Sequence, residues 1–478
     1  MITRRIAMAA SALTAVVPIS APKAAPMTQP ALAPTDVTLR LARHIVAAKA
    51  ADLPAPVRHE VSRALLNWIG VAIGASRHET IEIALRAIKP FAGPPQASLL
   101  GRNDRLDIMN AAMLNGISSH VFDFDDTDLS TAVHPSAPVA PALLALAEYR
   151  PMSGSDFVLA MAMGIEAECR IARAVVPPHT DIGWHPTGTC GVFGSAVAMS
   201  KVLGLDENRM AHAIGLAATQ PVGIREMFGS MTKSFHPGRA AQSGMLSAFL
   251  AEQGYTSSDH GIEAKRGWAN ILSTRQDYTA ITDGLGDQYE IMRNSYKPYA
   301  CGLVVHPVID GCIRLREAHK LTPAMIARID VDIHPIVMEL TSKRTPATGL
   351  EGKFSVYYAA AVGVVAGVAG ERQFSDAAVK DPVTVALRDK VLPKIDSSLR
   401  QDQARVRITL TDGKALDQFV EHAVGSVENP MTDSQLEAKF KDLVAGIIPA
   451  GKVQYLIDLC WKAETLKNAG DIARAATA

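Results

Sequence analysis

The chain has 478 residues, with 48 Lys plus Arg balanced by 48 Asp plus Glu, and is 48% hydrophobic, 20% charged and 5% aromatic. The even charge balance removes the electrostatic basis for binding nucleic acid or a membrane surface, so any attraction for anionic ligands must come from local placement. The length favours two structural units over one, and the alanine-rich, aromatic-poor composition favours helices.

In chain order, residues 1–26 open with Thr3-Arg4-Arg5, continue in an apolar, alanine-rich run from Ile6 to Ala21, and end in small residues. This is the layout of an export signal of twin-arginine or Sec type, and it predicts a periplasmic or exported protein, with a cytoplasmic one as the alternative. The run is too short and too rich in Ser, Thr and Pro for a transmembrane helix, so stable membrane insertion is not expected. Signal and Pro/Ala-rich linker together fill residues 1–34.

Thr35-Asp36 are good helix-opening residues. Val57, Val61, Leu65 and Ile69 then recur at four-residue spacing, the mark of one buried helix face. Helical patterns follow over 139–149, 155–175, 189–203, 207–219 and 238–253. Near residue 320 the period changes to two: Ile329, Val331 and Ile333 alternate with polar residues, as do Val406, Ile408 and Leu410. Asp412-Gly413 before Leu416–Val420 predicts a hairpin, and Asn429-Pro430-Met431-Thr432 opens a return to helix. The expected architecture is mainly α with an α+β second unit. A large all-helical domain (35–289 and 428–478) is interrupted by a smaller α/β lid inserted at 290–427.

The five cysteines (Cys169, Cys190, Cys301, Cys312, Cys460) form no Cys-x-x-Cys pair, so neither a zinc site nor an iron–sulfur cluster is indicated. The histidines are more informative. Five of fourteen precede proline (His134, His185, His236, His306, His334), far more than the two frequencies predict by chance. Proline favours the first helical turn, so a His-Pro pair can hold an imidazole beside free N–H groups that attract anions.

Four polar segments carry four of these pairs, all but His334-Pro335. Asp123-Phe124-Asp125-Asp126-Thr127 leads to His134, and three close carboxylates require a basic partner or a raised pKa. The same run fits the Asp-x-Asp-x-Thr pattern of haloacid dehalogenase-like phosphatases, but those place the first Asp after a buried strand, and the lead-in here is helical in period. Gly183-Trp184-His185-Pro186-Thr187-Gly188-Thr189 opens an apolar helix, with Thr187 and Thr189 as hydrogen-bonding caps. Lys233, His236 and Arg239 place three donors ahead of the next helix. Lys297-Pro298-Tyr299-Ala300-Cys301-Gly302 precedes His306-Pro307 at the expected lid boundary, where ligand sites are common.

In this order, over residues 36 to 465, the four segments resemble the MmgE/PrpD family, which includes 2-methylcitrate dehydratase and cis-aconitate decarboxylase. The resemblance implies a cofactor-independent lyase, usually dimeric, with a helical domain and an α/β lid. Carried over by motif, its active site would comprise Asp123, Thr127, His134, His185, Lys233, Lys297 and Tyr358 in Phe354-Ser355-Val356-Tyr357-Tyr358. Lys233, Lys297 and Arg239 would bind substrate carboxylates, and Asp123, Thr127, Thr189 and His236 would complete the binding set. One of His134 and His185 would act as base, and the other, or Tyr358, as acid. The Thr127–His134 spacing is one residue longer than in the decarboxylase, and Gly302 stands where the decarboxylase has histidine. These departures direct the expectation to dehydration of a 2-methylcitrate-like hydroxy acid, with decarboxylation of a cis-aconitate-like acid or epimerisation of a small dicarboxylate as alternatives. A periplasmic carboxylate-binding protein is the non-enzymatic alternative, but it needs two strand-rich lobes of similar size.

Overall fold

A computed structural model describes residues 36–478 of the chain. The signal and linker expected over 1–34 lie outside the described residues. Among the described residues no helix is long and apolar enough to cross a membrane.

Helices dominate up to residue 320, as the periodicity predicts. Ala55–Gly74 buries Val57, Val61, Leu65 and Ile69. The helices Ser136–Tyr149, Gly154–Val175, Gly191–Val202 and Glu207–Ala218 follow the predicted spans closely. Thr232–Glu252 starts six residues earlier than the predicted 238, with Pro237 inside it rather than at its entrance. It packs against Ile108–Val121 and Gly191–Val202. The first contact is backbone to backbone: a Cβ on Gly116 would lie 2.7 Å from Gly238 Cα, so only glycines allow this approach. This crossing brings the start of Thr232–Glu252 beside the loop that follows Ile108–Val121. That loop begins after a helix, not a strand, so the phosphatase-like reading has no structural basis.

A two-residue ladder, Ala97–Ser98 with Arg105–Leu106, is a small addition to the predicted scheme. The main sheet has four strands in the order Val391–Ile395, Ile326–Ile333, Ala404–Leu410, Ala415–Val420. The first pair is parallel and the others antiparallel. Asp412-Gly413 turns the last hairpin, with Gly413 at φ 88°. Val391–Ile395 carries Pro393 and was not legible as a strand; proline is tolerated here because the strand is at the sheet edge.

Among the described residues two large hydrophobic cores result, beside a small cluster of Leu205, Ala213 and Ala251. One is built from the helices between Val37 and Tyr296 and from residues after Met431. The other gathers the sheet, His306–His319 and Val356–Ala366, with Val121, Phe122 and Phe124 reaching in from the helical side. The returning helix Asp433–Val444 is capped by Thr432 and Gln435 and presses Phe440 against Gly70, so the chain's end completes the first core.

Candidate active site

A cavity of about 520 Å³ is lined by both halves of the chain. Asp123, Thr127, His134, His185, Lys233 and Lys297 form its polar end, and Gly302, Leu303, His334, Ile336 and Phe354 lie on the sheet-bearing side.

Asp123 is the hub. Its Oδ1 accepts hydrogen bonds from Lys233 Nζ at 2.6 Å and Lys297 Nζ at 3.0 Å, and Lys297 also donates to its backbone carbonyl at 3.0 Å. Burial alone would raise the Asp123 carboxyl, but the two ammonium groups override it and hold it far below the usual carboxylate range. Its φ of 50° is left-handed, a conformation that costs about 1–2 kcal/mol in a non-glycine residue. Two further lysines flank it, Lys353 buried and Lys439 half-buried. Lys353 Nζ donates to Phe122 O at 2.7 Å and Ala300 O at 2.8 Å, while Lys439 Nζ donates to Phe124 O at 2.7 Å and Lys297 O at 2.8 Å. Each therefore ties the loop around Asp123 to the loop around Lys297. Paired backbone hydrogen bonds of 2.9 Å between Thr127 and Ser295 add a third tie.

The imidazoles form a second layer. His134 Nδ1 hydrogen-bonds with Thr127 Oγ1 at 3.2 Å and lies 3.2 Å from Asp125 Oδ1 without hydrogen-bond alignment, and its Nε2 is 4.0 Å from Asp123 Oδ1. Asp125 Oδ2 bonds His120 Nδ1 at 2.7 Å, and the His120 and His134 rings meet edge to face at 4.5 Å. His185 is fixed from behind by His236, Nδ1 to Nδ1 at 2.9 Å, while its Nε2 is buried without a partner. Burial lowers the pKa of all four histidines: His120 and His236 to about 4, His185 well below its ordinary value, with the Lys233 charge acting in the same direction. Burial therefore favours the neutral form of each ring. Burial also lowers Lys233, against the opposing pull of Asp123, which makes it a readier proton donor.

Two overlapping groups, His120/His134/His185 and Asp123/Asp125/His134, place donor atoms within 4.8 Å of one another and by spacing could hold a metal ion. The charges favour a proton relay instead. Both lysines already neutralise Asp123, and Lys233 repels a cation from the histidines.

Not every expected residue reaches the cavity. His236 stands behind His185. Thr189 is fully buried, bonding His179 Nε2 at 2.7 Å. Arg239 is exposed and pairs with Gln242. Tyr358 lies in the second core, donating to Gln373 O and packing on Phe374, so the acid role expected of it has no geometric basis. Conversely, His120 and Asp125 were not singled out. His120 lacks a following proline, and Asp125 was one of three adjacent carboxylates with nothing to separate them.

The MmgE/PrpD N-terminal domain matches residues 39–281 and the MmgE/PrpD C-terminal domain matches residues 299–463. Among similar proteins, a cis-aconitate decarboxylase of Aspergillus terreus is 26% identical over 449 residues, covering 87% of this chain and 91% of that protein. The cis-aconitate decarboxylase of Homo sapiens is 27% identical over 451 residues, covering 90% and 92%. A cis-aconitate decarboxylase-like protein oryM of Aspergillus oryzae is 25% identical over 465 residues, covering 91% and 96%. With the two domain matches together spanning most of its length, the chain belongs to the MmgE/PrpD family.

Proposed function

We propose that the protein is a lyase acting on a polycarboxylic acid by proton transfer beside a carboxylate, and that decarboxylation of an unsaturated, cis-aconitate-like acid is its reaction. The observation that carries the reading is the shared carboxylate: two buried ammonium groups on one Asp123 oxygen leave one positive charge in excess, facing the cavity next to uncharged histidines. A substrate carboxylate is the natural partner for that excess. The names of the three relatives favour decarboxylation over the dehydration expected from the sequence.

In this reading the C–C bond to the departing carboxylate breaks and CO2 leaves with no bonding pair. The pair stays on carbon, delocalised towards the remaining unsaturated acid. Lys297 and Lys233 stabilise that charge as it develops. Lys233 then delivers the proton to carbon and is reprotonated from solvent through the His134 side of the site. Dehydration is the second reading, favoured by the imidazoles of His134 and His185, which line the cavity beside the two lysines. It needs a neutral imidazole as base, and burial favours the neutral form of both rings.

The deciding experiment is proton NMR of the full-length protein in deuterated buffer with di- and tricarboxylic acids. Decarboxylation gives CO2 loss and one deuterium on the product carbon. Water loss would replace it with dehydration, solvent exchange alone with epimerase-type chemistry, and binding without change with a capture role. Neither binding nor change would remove the proposal.

A further inference from the structure

Lys233 stands between two cavities. Besides the large one, a small cavity of about 10 Å³ has His120, Asp123, Lys233 and Ser234 in its wall, with Gly229 and Ser230 at its outer end. One buried water needs roughly 10–15 Å³, so the space suits a single water and excludes any organic ligand. Asp123, Lys233 and Phe354 line both cavities, and the lysine is part of the wall they share.

The small cavity offers the polar partners that a buried water requires. Lys233 Nζ carries three hydrogens, of which one goes to Asp123 Oδ1 at 2.6 Å, its single protein acceptor among the described residues. His120 is 1% exposed; its Nδ1 bonds Asp125 Oδ2 at 2.7 Å, and its Nε2 is enclosed without a protein partner. A carboxylate on Nδ1 places the ring's proton there and leaves Nε2 as an acceptor. Ser234 donates its hydroxyl hydrogen to Met231 O at 2.8 Å, so its oxygen keeps lone pairs to offer. Lys353, also in this wall, gives all three hydrogens to Phe122 O, Ala300 O and Glu371, and adds no competing donor.

The outer end reaches the surface, since Ser230 is exposed and Gly229 half-buried. Solvent can therefore approach Lys233 without crossing the large cavity. A molecule filling the large cavity shuts one face of Lys233 off from solvent, and the small cavity leaves another face open. The His120 ring meets His134 edge to face at 4.5 Å, so this entrance is on the His134 side of the site.

We infer that the small cavity holds one water, bonded to His120 Nε2 and Lys233 Nζ, and that this water returns the proton Lys233 gives to the substrate. In the step an O–H bond of the water breaks and an N–H bond forms on the neutral amine. The hydroxide left behind takes a proton from solvent past Ser234 and Ser230, which restores the water, and nothing is oxidised or reduced. Decarboxylation followed by protonation on carbon consumes a solvent proton in every turnover, and this path supplies it. His120 positions the water and keeps its own protonation state. The inference rests on Lys233 being the proton donor, and it adds the path by which the donor is restored.

Two measurements test it. A crystal structure of the full-length protein at a resolution that shows ordered waters should place one within hydrogen-bond distance of both Lys233 Nζ and His120 Nε2. A cavity without that water overturns the inference, whether or not the protein is a lyase. For the path, rapid-quench measurement of CO2 release from cis-aconitate compares the natural protein with Ser234→Leu, which fills the cavity, and Ser230→Phe, which covers its exposed end. The first turnover uses the proton already on Lys233 and should keep its natural rate. Later turnovers wait for that proton and should slow by roughly tenfold or more, a modest share of what an acid–base group supplies. The expected record is a burst equal to the number of sites, followed by slow release. A general structural disturbance slows both phases together; that result, or natural steady-state rates in the variants, overturns the path and leaves the lyase reading intact. Ser230 is exposed, so its variant decides the matter where Ser234→Leu fails to fold. The ordered water in a natural protein that does not convert cis-aconitate removes the decarboxylase reading and leaves the water site standing.

Discussion

Asp123 concentrates more of the site's physics than any other side chain. It is buried and left-handed, and it is the shared counter-ion of two ammonium groups. Asp123→Asn would keep the shape and remove the anion, leaving two buried cations to repel one another. Breaking a buried pair this way costs about 3–5 kcal/mol, so denaturant unfolding should show a large drop in stability together with loss of turnover; a fully stable variant would mean the lysines find another anion. His134→Asn should retain the bond to Thr127 and lose the proton acceptor, lowering kcat by about 10²–10⁴ if the ring is an acid or base in the reaction. A change below tenfold would move that role to His185.

His236 touches no part of the cavity, yet it sets which nitrogen of His185 carries the proton, because only one hydrogen can lie between their Nδ1 atoms. His236→Gln should alter the pH profile of kcat more than substrate affinity. Its stability effect has a definite sign. The His236 pKa is about 4 in the folded chain against about 6.5 when unfolded. The unfolded state therefore binds more protons between those values, and the natural protein loses stability as pH falls through that window. Glutamine does not titrate, so the melting-temperature advantage of the natural protein over the variant should shrink from pH 7 to pH 4. An advantage constant with pH would place His236 in the folded state with an unshifted pKa.

The helices and loops explain which residues were legible. Asp123, His134, His185, Lys233 and Lys297 stand in short motifs whose chemistry shows in the residue types, and the fold brings all five to one cavity. Arg239 stands in such a motif too, but Thr232–Glu252 starts before Lys233, and six residues along a helix turn the side chain by about 240°. A helix opening at 238 would have left Lys233 in a free loop and Arg239 in the first turn, near the loop's ligand; the real start at Thr232 sends Arg239 to solvent. Tyr358 fails for a related reason, since Ser355 caps Val356–Ala366 and aims that helix into the second core.

Lys353 and Lys439 are illegible for a different reason: two of the three partners of each are backbone carbonyls far away in the chain, and a carbonyl has no sequence signature. Lys439→Met is the informative change at this scale. It strands Asn67 Oδ1, Phe124 O and Lys297 O, each at about 1–3 kcal/mol if unpaired. Because it loosens the Asp123 and Lys297 loops against each other, kcat should fall more than KM rises. Loss of stability with unchanged kcat in the folded fraction would make Lys439 a packing residue only.

At the scale of the whole molecule, the last fifty residues belong to the first core although the sheet separates them from it in sequence. Asp433–Val444 packs on Ala55–Gly74, and Leu456, Ile457 and Ile472 lie in the same core. Truncation after residue 427 should therefore destroy the helical half, not merely trim it. A truncated chain that keeps native helicity and cooperative melting would show that the Val37–Tyr296 helices stand alone.

Local order was written into the sequence. The period of its apolar residues marked helices before about residue 320 and strands after it, and His-Pro pairs and clustered charges marked the segments that form the cavity's polar end. Periodicity and residue type are local properties, and they survive any tertiary arrangement. What only the tertiary structure decided was convergence: that Lys233 and Lys297, 64 residues apart in number, share one oxygen of Asp123, that His236 stands behind His185, and that Tyr358 and Arg239 face elsewhere. Those outcomes depend on helix phase, on the Gly116–Gly238 crossing and on lysine-to-carbonyl ties between distant loops. Each is a relation between surfaces, and no single stretch of sequence contains both sides of it.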